Sequence, residues 1–190
     1  MKFSLASALG VGVVSYTEFV EIELAEPMEV EKAALALDAA LPRGIRVLAA
    51  DAVDTHHAAL MSQAAGASYR VTLPYSKDVS AAVAEFNAAP ELLFKKAAPK
   101  TKAKFKEIDV KFYIPQLTAE QTEKETIFSF DCKITPTGSM KAVDLLNALN
   151  EQYGLELPVE MADIERLRLY RNNKNGKPIP MLNSDAVTLG

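Results

Sequence analysis

A succession of strand, helix and strand near the start of the sequence constrains the fold of the whole chain. Residues 17–24 alternate between apolar side chains and mostly carboxylates, the pattern of a half-buried strand. Residues 27–40 begin with a proline and repeat apolar side chains at helical spacing, which predicts a helix. Proline and glycine within residues 41–44 end that helix, and residues 45–48 predict a second strand.

The pattern continues with a third strand, a second helix and a fourth strand. Residues 68–73 alternate, residues 76–89 carry one apolar face, and residues 91–94 predict a further strand. The resulting order, strand–helix–strand–strand–helix–strand, favours a ferredoxin-like sheet with both helices on one face. We therefore predict a ferredoxin-like βαββαβ lobe in residues 1–96.

The second half of the chain predicts another mixture of strands and helix. The expected elements are strands at 106–114, 126–134 and 164–171, a polar turn at 118–125, and a helix at 140–153 that ends at Gly154. We therefore predict an α+β protein. After the first lobe we expect a lysine-rich loop at 97–104, a second α+β lobe at 105–182 and a loose tail at 183–190.

Composition excludes several classes of protein. The net charge of the 190 residues is −4, so any binding of nucleic acid must come from a local basic patch. A single cysteine excludes an internal disulfide and fits a reducing compartment. No apolar run reaches the about 18 residues that a membrane helix needs. We therefore expect a cytoplasmic protein that does not bind a membrane.

The first 14 residues allow two interpretations. One positive charge followed by a small apolar stretch resembles a short secretory signal peptide. However, Gly10 and Gly12 interrupt the stretch, and no small-residue cleavage site follows. We favour the alternative, a buried strand over Phe3–Leu9 with a glycine bend behind it.

A lysine-rich segment between residues 95 and 106 is the main candidate for binding. It contains six lysines and no carboxylate: Lys95, Lys96, Lys100, Lys102, Lys104 and Lys106. Lysines on an exposed arm bind a phosphate backbone by neutralising charge and releasing counterions, which predicts contact with RNA or another anion. Arg166 and Arg168 in the last strand would extend this patch. The alternative is a solvated loop whose charge keeps a sheet edge soluble.

Carboxylates offer weaker candidates for chemistry. Asp109 lies on the polar face of its strand beside lysines, so it is a candidate catalytic acid or base. A cross-strand ion pair, with Lys133 or Arg168 as partner, is the interpretation we favour. Glu21 and Glu23 share a strand face and could bind a hard cation, but a solvated or ion-paired face is the simpler interpretation.

The remaining residues predict no metal site and no cofactor. His56 and His57 are adjacent, so on a helix they point about 100° apart and do not share a metal readily. Cys132 falls at an inward strand position and is expected in the core. One cysteine cannot hold an iron–sulfur cluster, and the sequence contains no phosphate-binding glycine loop, dinucleotide fingerprint or nucleophile elbow.

An ordered set of short motifs resembles a bacterial family, the radical-SAM-linked proteins. The matching segments are Phe3-Ser4-Leu5-Ala6, Leu9-Gly10-Val11-Gly12, Ser15 and Glu18, Leu41-Pro42-x-Gly44-Ile45, Ala67-Ser68-Tyr69-Arg70-Val71, the lysine run with Ile108-Asp109-Val110, and Arg166-Leu167-Arg168-Leu169-Tyr170. The resemblance implies a partner, a radical S-adenosylmethionine protein encoded beside the family member or fused to it. The family has no settled function.

Two further points follow from resemblance. The family normally begins with a strand and helix containing Ser-His-Leu-Asp and Gly-Phe-Asn-Pro, which this sequence lacks, so we expect a truncated form or a short relative. Residues 41–47, followed by Tyr69, are also similar to a segment of tRNA pseudouridine synthases. The arginine-rich aspartate motif of those enzymes has no counterpart here.

Three functional hypotheses remain open. The leading one is a non-catalytic accessory protein that presents RNA or another anionic substrate to a radical SAM enzyme. The second is an RNA-modifying enzyme of pseudouridine-synthase-like fold, with Asp109 as its acid or base. The third is a scaffold that forms a homodimer through an open sheet edge.

Overall fold

A seven-stranded sheet, assembled from distant parts of the chain, organises the fold. The computed structural model describes residues 2–54, 56–98 and 104–189. The elements of the first half are β1 (Lys2–Leu5), β2 (Val13–Ser15), β3 (Val20–Glu23), α1 (Val30–Ala40), β4 (Ala49–Ala50), α2 (Leu60–Gln63), β5 (Gly66–Leu73), α3 (Ser80–Ala88) and β6 (Leu93–Ala97). Those of the second half are β7 (Phe105–Asp109), α4 (Val110–Tyr113), β8 (Leu117–Gln121), β9 (Thr126–Thr135), β10 (Gly138–Ser139), α5 (Ala142–Tyr153), a 3-10 turn (Val159–Met161), β11 (Asp163–Asn172), β12 (Pro178–Pro180) and β13 (Val187–Thr188). This content confirms the predicted α+β class.

Strand β5 lies at the centre of this sheet. The strand order is β10-β9-β5-β11-β12, with β8 added beside β9 and β2 added beside β11. Strand β5 runs antiparallel to both neighbours, so Val71 lies opposite Phe128 of β9 and Ile164 of β11. All three side chains are buried. The sheet therefore combines strands that precede residues 97–104 in the sequence with strands that follow them, whereas we expected two separate lobes.

The main core lies between one face of the sheet and two helices. Phe86 of α3 and Leu146 of α5 are fully buried in one cluster with Val71 and Phe128 of the sheet. Burying each such side chain stabilises the fold by about 1.5–3 kcal/mol. Helix α5 ends at Gly154, as predicted, because that residue adopts the left-handed conformation with φ of 62°.

The ferredoxin-like lobe predicted for residues 1–96 is not confirmed. Its expected strands belong to three different sheets, since β3 pairs with β1, β5 lies in the main sheet, and β6 pairs with β7. The order strand–helix–strand–strand–helix–strand occurs further along the chain as β5-α3-β8-β9-α5-β11, interrupted by β6, β7 and α4 after α3 and by β10 after β9. These strands are neighbours in the order β11-β5-β9-β8, all antiparallel, which is a split βαβ arrangement.

The strand predicted over residues 45–48 does not form. The backbone N–H of Val47 donates to the Asp38 carboxylate at 2.8 Å, and that of Ile45 donates to the Pro42 carbonyl at 3.2 Å. Arg46 also donates to Asp38 at 2.9 Å. Hydrogen bonds to the Asp38 side chain and within the turn thus satisfy the N–H groups of Val47 and Ile45, so these groups do not pair with a neighbouring strand.

Residues 106–121 also differ from the expected strand followed by a turn. Strand β7 ends at Asp109, whose side chain accepts a hydrogen bond from the backbone N–H of Lys111 and starts the single helical turn α4. A polar turn was expected at 118–125, but residues 117–121 pair with β9 as strand β8. The alternation of apolar and polar residues in β8 is weak in the sequence, because Leu117 is its one buried residue and the others are mostly polar.

Residues 2–65 bury very little. The buried residues of this described segment are three alanines, Ala6, Ala34 and Ala64. Strand β1 pairs with β3 as a two-stranded ribbon, and Phe3 is 69% exposed, so the buried strand predicted over Phe3–Leu9 is wrong. In the described residues, no helix is long and apolar enough to cross a membrane.

Candidate functional site

The described residues of the lysine-rich segment belong to the hairpin of β6 and β7, and within the described chain these two strands pair only with each other. Phe94 is buried in the main core and lies opposite Ile108, and these two residues anchor the base of the hairpin. Further along, the backbone N–H of Ala98 donates to the Lys104 carbonyl at 2.8 Å. The hairpin therefore extends from the core toward residues 99–103, which lie outside the described residues.

The structure places three of the six predicted lysines at the surface. Lys95, Lys104 and Lys106 are exposed, whereas Lys100 and Lys102 lie outside the described residues. Lys104 adopts a left-handed conformation with φ of 58°, which is uncommon for a residue with a side chain. Such backbone strain often marks functional segments.

Lys96 has a structural role that the sequence did not reveal. Its ammonium group donates to the carboxylate of Asp144, in the first turn of α5, at 2.5 Å. Lys96 lies directly opposite Lys106, and like charges in that position repel. Asp144 offsets this repulsion and fixes the hairpin against α5, which leaves the charge of Lys106 available at the surface.

Arg166 was predicted to extend the basic patch, but the structure buries it. It is 1% exposed, and its guanidinium donates to both carboxylate oxygens of Glu18. It also donates to the carbonyl oxygens of Ser7 at 3.3 Å and Ala8 at 3.4 Å. Arg166 therefore holds residues 7–18 against the sheet and is not available to a ligand.

Arg168 is exposed but lies apart from the hairpin. Its Nε donates to the hydroxyl of Ser68 at 2.8 Å, and its guanidinium lies 5.6 Å from the ring centre of Tyr170. Ser68 lies opposite Asp131, on the sheet face that the helices do not cover. Because Phe94 packs on the covered face, the sheet separates Arg168 from the lysines.

The environment of Asp109 also differs from the expected cross-strand ion pair. Its Oδ1 accepts hydrogen bonds from the backbone N–H groups of Leu92 at 3.1 Å and Lys111 at 3.0 Å. The ion pair that we expected with Lys133 or Arg168 is absent from the described residues. A carboxylate used for capping fixes the backbone between β7 and α4, and the geometry gives no support to an acid–base role.

An open depression of about 450 Å³ lies on the uncovered face of the sheet and was missed by sequence reasoning. Its wall includes Ser68, Thr118, Ser129 and Asp131. The hydroxyl of Ser68 donates to Asp131 and accepts from Arg168, so these polar groups satisfy one another. In the sequence, these residues appear only as polar outward positions of three strands. Such alternation does not distinguish a binding cluster from an ordinary solvated face.

The residues considered for metal binding form no cluster. Among the described residues, no group of three or more His, Cys, Asp or Glu side chains could hold a metal ion. Glu21 contacts the Nε2 of His57 at 3.2 Å, and Glu23 contacts Lys2 at 3.2 Å. Cys132 is buried as predicted, and burial raises the pKa of its thiol to about 11.

Sequence comparison places the chain in a family. Residues 1–147, more than three quarters of the 190, match the family described as "Uncharacterized protein conserved in bacteria (DUF2344)". A search of curated proteins finds no match. The chain therefore belongs to this family of conserved bacterial proteins.

Proposed function

We propose that this protein is a non-catalytic accessory protein that binds RNA through the β6–β7 hairpin and presents it to a radical SAM enzyme. The observation that carries the proposal is the hairpin itself. It exposes Lys95, Lys104 and Lys106, and residues 92–106 contain no carboxylate, with Glu107 of β7 lying directly opposite Lys95. A chain with net charge −4 thus concentrates positive charge in one place.

Lysine is well suited to this mode of binding. Its ammonium group is a flexible point charge that neutralises phosphates without requiring one fixed geometry. Phe105, at the end of β7, is exposed and lies opposite Ala97. An exposed aromatic ring beside lysines can stack on an unpaired base, and this stacking tolerates any sequence. We therefore expect RNA binding that depends on salt and shows little sequence preference.

The enzymatic partner rests on the sequence resemblance to radical-SAM-linked proteins. The absence of a catalytic arrangement around Asp109 favours a binding role over the RNA-modifying alternative. Co-purification with the radical SAM protein of the same bacterium, expressed together with this chain, tests that part. A radical SAM protein that elutes alone contradicts it.

Titration of a labelled RNA stem-loop, followed by fluorescence anisotropy, tests the RNA part. Binding should weaken steeply between about 50 and 200 mM salt, because each neutralised phosphate contributes roughly 0.7–0.9 to the slope of log K against log salt. Replacing Lys95, Lys104 and Lys106 by alanine should lower that slope by roughly 2–3.

A matched control removes the same type of charge elsewhere. Exposed Lys124 lies in the turn between β8 and β9, and exposed Lys174 and Lys177 lie in the turn between β11 and β12. The variant that replaces these three lysines by alanine should bind RNA like the unchanged protein. Equal losses in both variants would indicate a general charge effect. Either that result or the absence of RNA binding would contradict the proposal.

A further inference from the structure

The two-stranded ribbon of β1 and β3 has one apolar face. Phe3 lies opposite Ile22, and Leu5 lies opposite Val20. Directly opposed residues of an antiparallel pair share a face, so these four side chains form one apolar surface. We call it the outer face of the ribbon.

The opposite, inner face of the ribbon is mostly polar yet packs against the protein. Ser4 lies opposite Glu21, whose carboxylate contacts His57 and accepts a hydrogen bond from the backbone N–H of Leu60 at 3.2 Å. Next to them, Ala6 is buried in a small cluster that also contains Phe19. The ribbon therefore presents its more apolar face to solvent, the reverse of the usual arrangement.

Exposed apolar side chains are concentrated in the part of the chain that contains the ribbon. Fourteen of the twenty large apolar side chains that are exposed in the described residues lie between positions 3 and 61. Phe3, Leu5, Val20 and the following Leu24 are all exposed by more than 40%. Apolar surface of this kind marks interaction sites, and an isolated two-stranded ribbon needs a further element such as a packed helix to be stable.

Unpaired carboxylates lie directly after the ribbon. Glu26, Glu29 and Glu31 are exposed, and each lacks an ion-pair partner among the described residues. Exposed Met28 lies between them in the sequence. An apolar surface that is followed within a few residues by exposed negative charge is complementary to a helix that has one apolar face flanked by lysine or arginine.

We propose that the outer face of the ribbon and the adjoining carboxylates bind a basic amphipathic helix of a partner protein. The apolar side of that helix covers Phe3, Leu5, Val20 and Ile22, and its basic residues pair with Glu26, Glu29 and Glu31. The surface is distinct from the lysine hairpin. This inference therefore does not depend on RNA binding.

A synthetic peptide provides the probe. It carries leucines at i, i+3, i+4 and i+7 over about 18 residues, with lysines beside them, which generates one apolar face. Two control peptides have the same leucine content: a shuffled sequence without an apolar face, and a version with glutamate in place of lysine. Fluorescence anisotropy with the full chain should show at least tenfold tighter binding of the basic amphipathic peptide than of either control.

Variants of the chain locate the binding surface. The double variant Phe3→Ser, Leu5→Ser should bind the peptide at least tenfold more weakly, and Glu26→Gln, Glu29→Gln, Glu31→Gln should weaken binding and reduce its salt dependence. The matched control Leu93→Ser, Phe105→Ser removes exposed apolar side chains of the hairpin and should leave the peptide affinity unchanged. Circular dichroism verifies that each variant is folded.

Three results would overturn the inference: no preference among the peptides, equal losses in the ribbon and hairpin variants, or a dimer of the unchanged chain that the Phe3→Ser, Leu5→Ser variant abolishes. The last result would identify a second copy as the occupant, and sedimentation of the chain alone detects it. RNA binding by the ribbon variant, measured in parallel, should be unchanged. Failure here is thus distinguishable from failure of the proposed function.

Discussion

Residues 2–65 and residues 66–172 follow the same alternating and helical patterns but achieve very different burial. In the later region, Val71, Phe86 and Phe128 are completely buried between the sheet and its helices. In the earlier region the buried residues that the structure describes are all alanines, and α1 is an alanine-rich helix with Ala34 as its one buried residue. An alanine stripe removes little apolar area from water, so it contributes little free energy to folding. Sequence periodicity therefore reports which residues share a face, whereas the covering of that face depends on neighbours.

The first prediction compares one substitution in the two regions. Phe128→Ala should lower the free energy of unfolding by about 3–5 kcal/mol, because it leaves a cavity in a closed core. Phe3→Ala should change it by less than about 0.5 kcal/mol, because the ring of Phe3 is already exposed. Urea denaturation followed by circular dichroism measures both. Similar losses would show that the ribbon is covered in solution.

The second prediction concerns the link between the two regions. Arg166→Met should lower the free energy of unfolding by about 2–3 kcal/mol, because Glu18 and the carbonyl groups of residues 7 and 8 lose their charged donor. Residues 2–65 should also become more sensitive to limited proteolysis. The exposed Arg168→Met serves as the control and should cost less than about 1 kcal/mol. Equal losses would indicate that the burial of Arg166 is not what matters.

The third prediction compares two glycines. A Cβ at Gly66 would collide with the ring and hydroxyl of Tyr170, which is buried, so Gly66→Ala should cost about 1–3 kcal/mol. At Gly10 the nearest atom would be Cγ2 of Val13 at 3.5 Å, an ordinary contact. Gly10→Ala should therefore change stability by less than about 0.5 kcal/mol. Thermal unfolding measures both, and a neutral Gly66→Ala would contradict the close packing of β5 and β11.

The fourth and smallest effect is a pH dependence of the ribbon. Two hydrogen bonds raise the pKa of His57 above its usual value: the larger effect comes from the Asp54 carbonyl and the smaller from the Glu21 carboxylate. The stabilisation is therefore fully present below the ordinary histidine pKa of about 6.5 and is lost as the pH rises through the raised value in the folded protein. His57→Gln should make residues 2–65 more sensitive to proteolysis at about pH 5, with little difference at about pH 8.

A companion variant tests the cause of that dependence. Glu21→Gln removes the partner carboxylate, so it should reduce the pH dependence of proteolysis in the same direction as His57→Gln. An unchanged pH profile in both variants would show that the contact does not stabilise the ribbon.

Much of the local structure could be predicted from the sequence. Strand β9 is observed at Thr126–Thr135 and β11 at Asp163–Asn172, both within two residues of the expected bounds, because their alternation is long and regular. The lysine segment was identified by its composition. Its residues Lys95, Lys104 and Lys106 are exposed on a hairpin, as expected for a solvated arm. The strand expected over residues 45–48 does not form, because the backbone N–H of Val47 donates to the Asp38 carboxylate and that of Ile45 donates to the Pro42 carbonyl.

The candidate site was predicted only in part. Lysines are identifiable because six of them occur without an intervening carboxylate. The buried role of Arg166 could not be identified from the sequence, because Arg166 and Arg168 alternate as residues on a solvated strand face do. A bulge between Arg166 and Arg168 changes the register, so the two arginines lie on opposite faces.

The sequence by itself determined where the longest strands and helices lie, that α5 ends at Gly154, and that positive charge is concentrated before Glu107. The tertiary structure decided that β5 lies between β9 and β11, that Arg166 is buried against Glu18, and that the ribbon turns its apolar face outward. The physical reason is that alternation and helical spacing are local properties of the backbone. The partner that covers a face is selected by packing and charge between segments far apart in the chain.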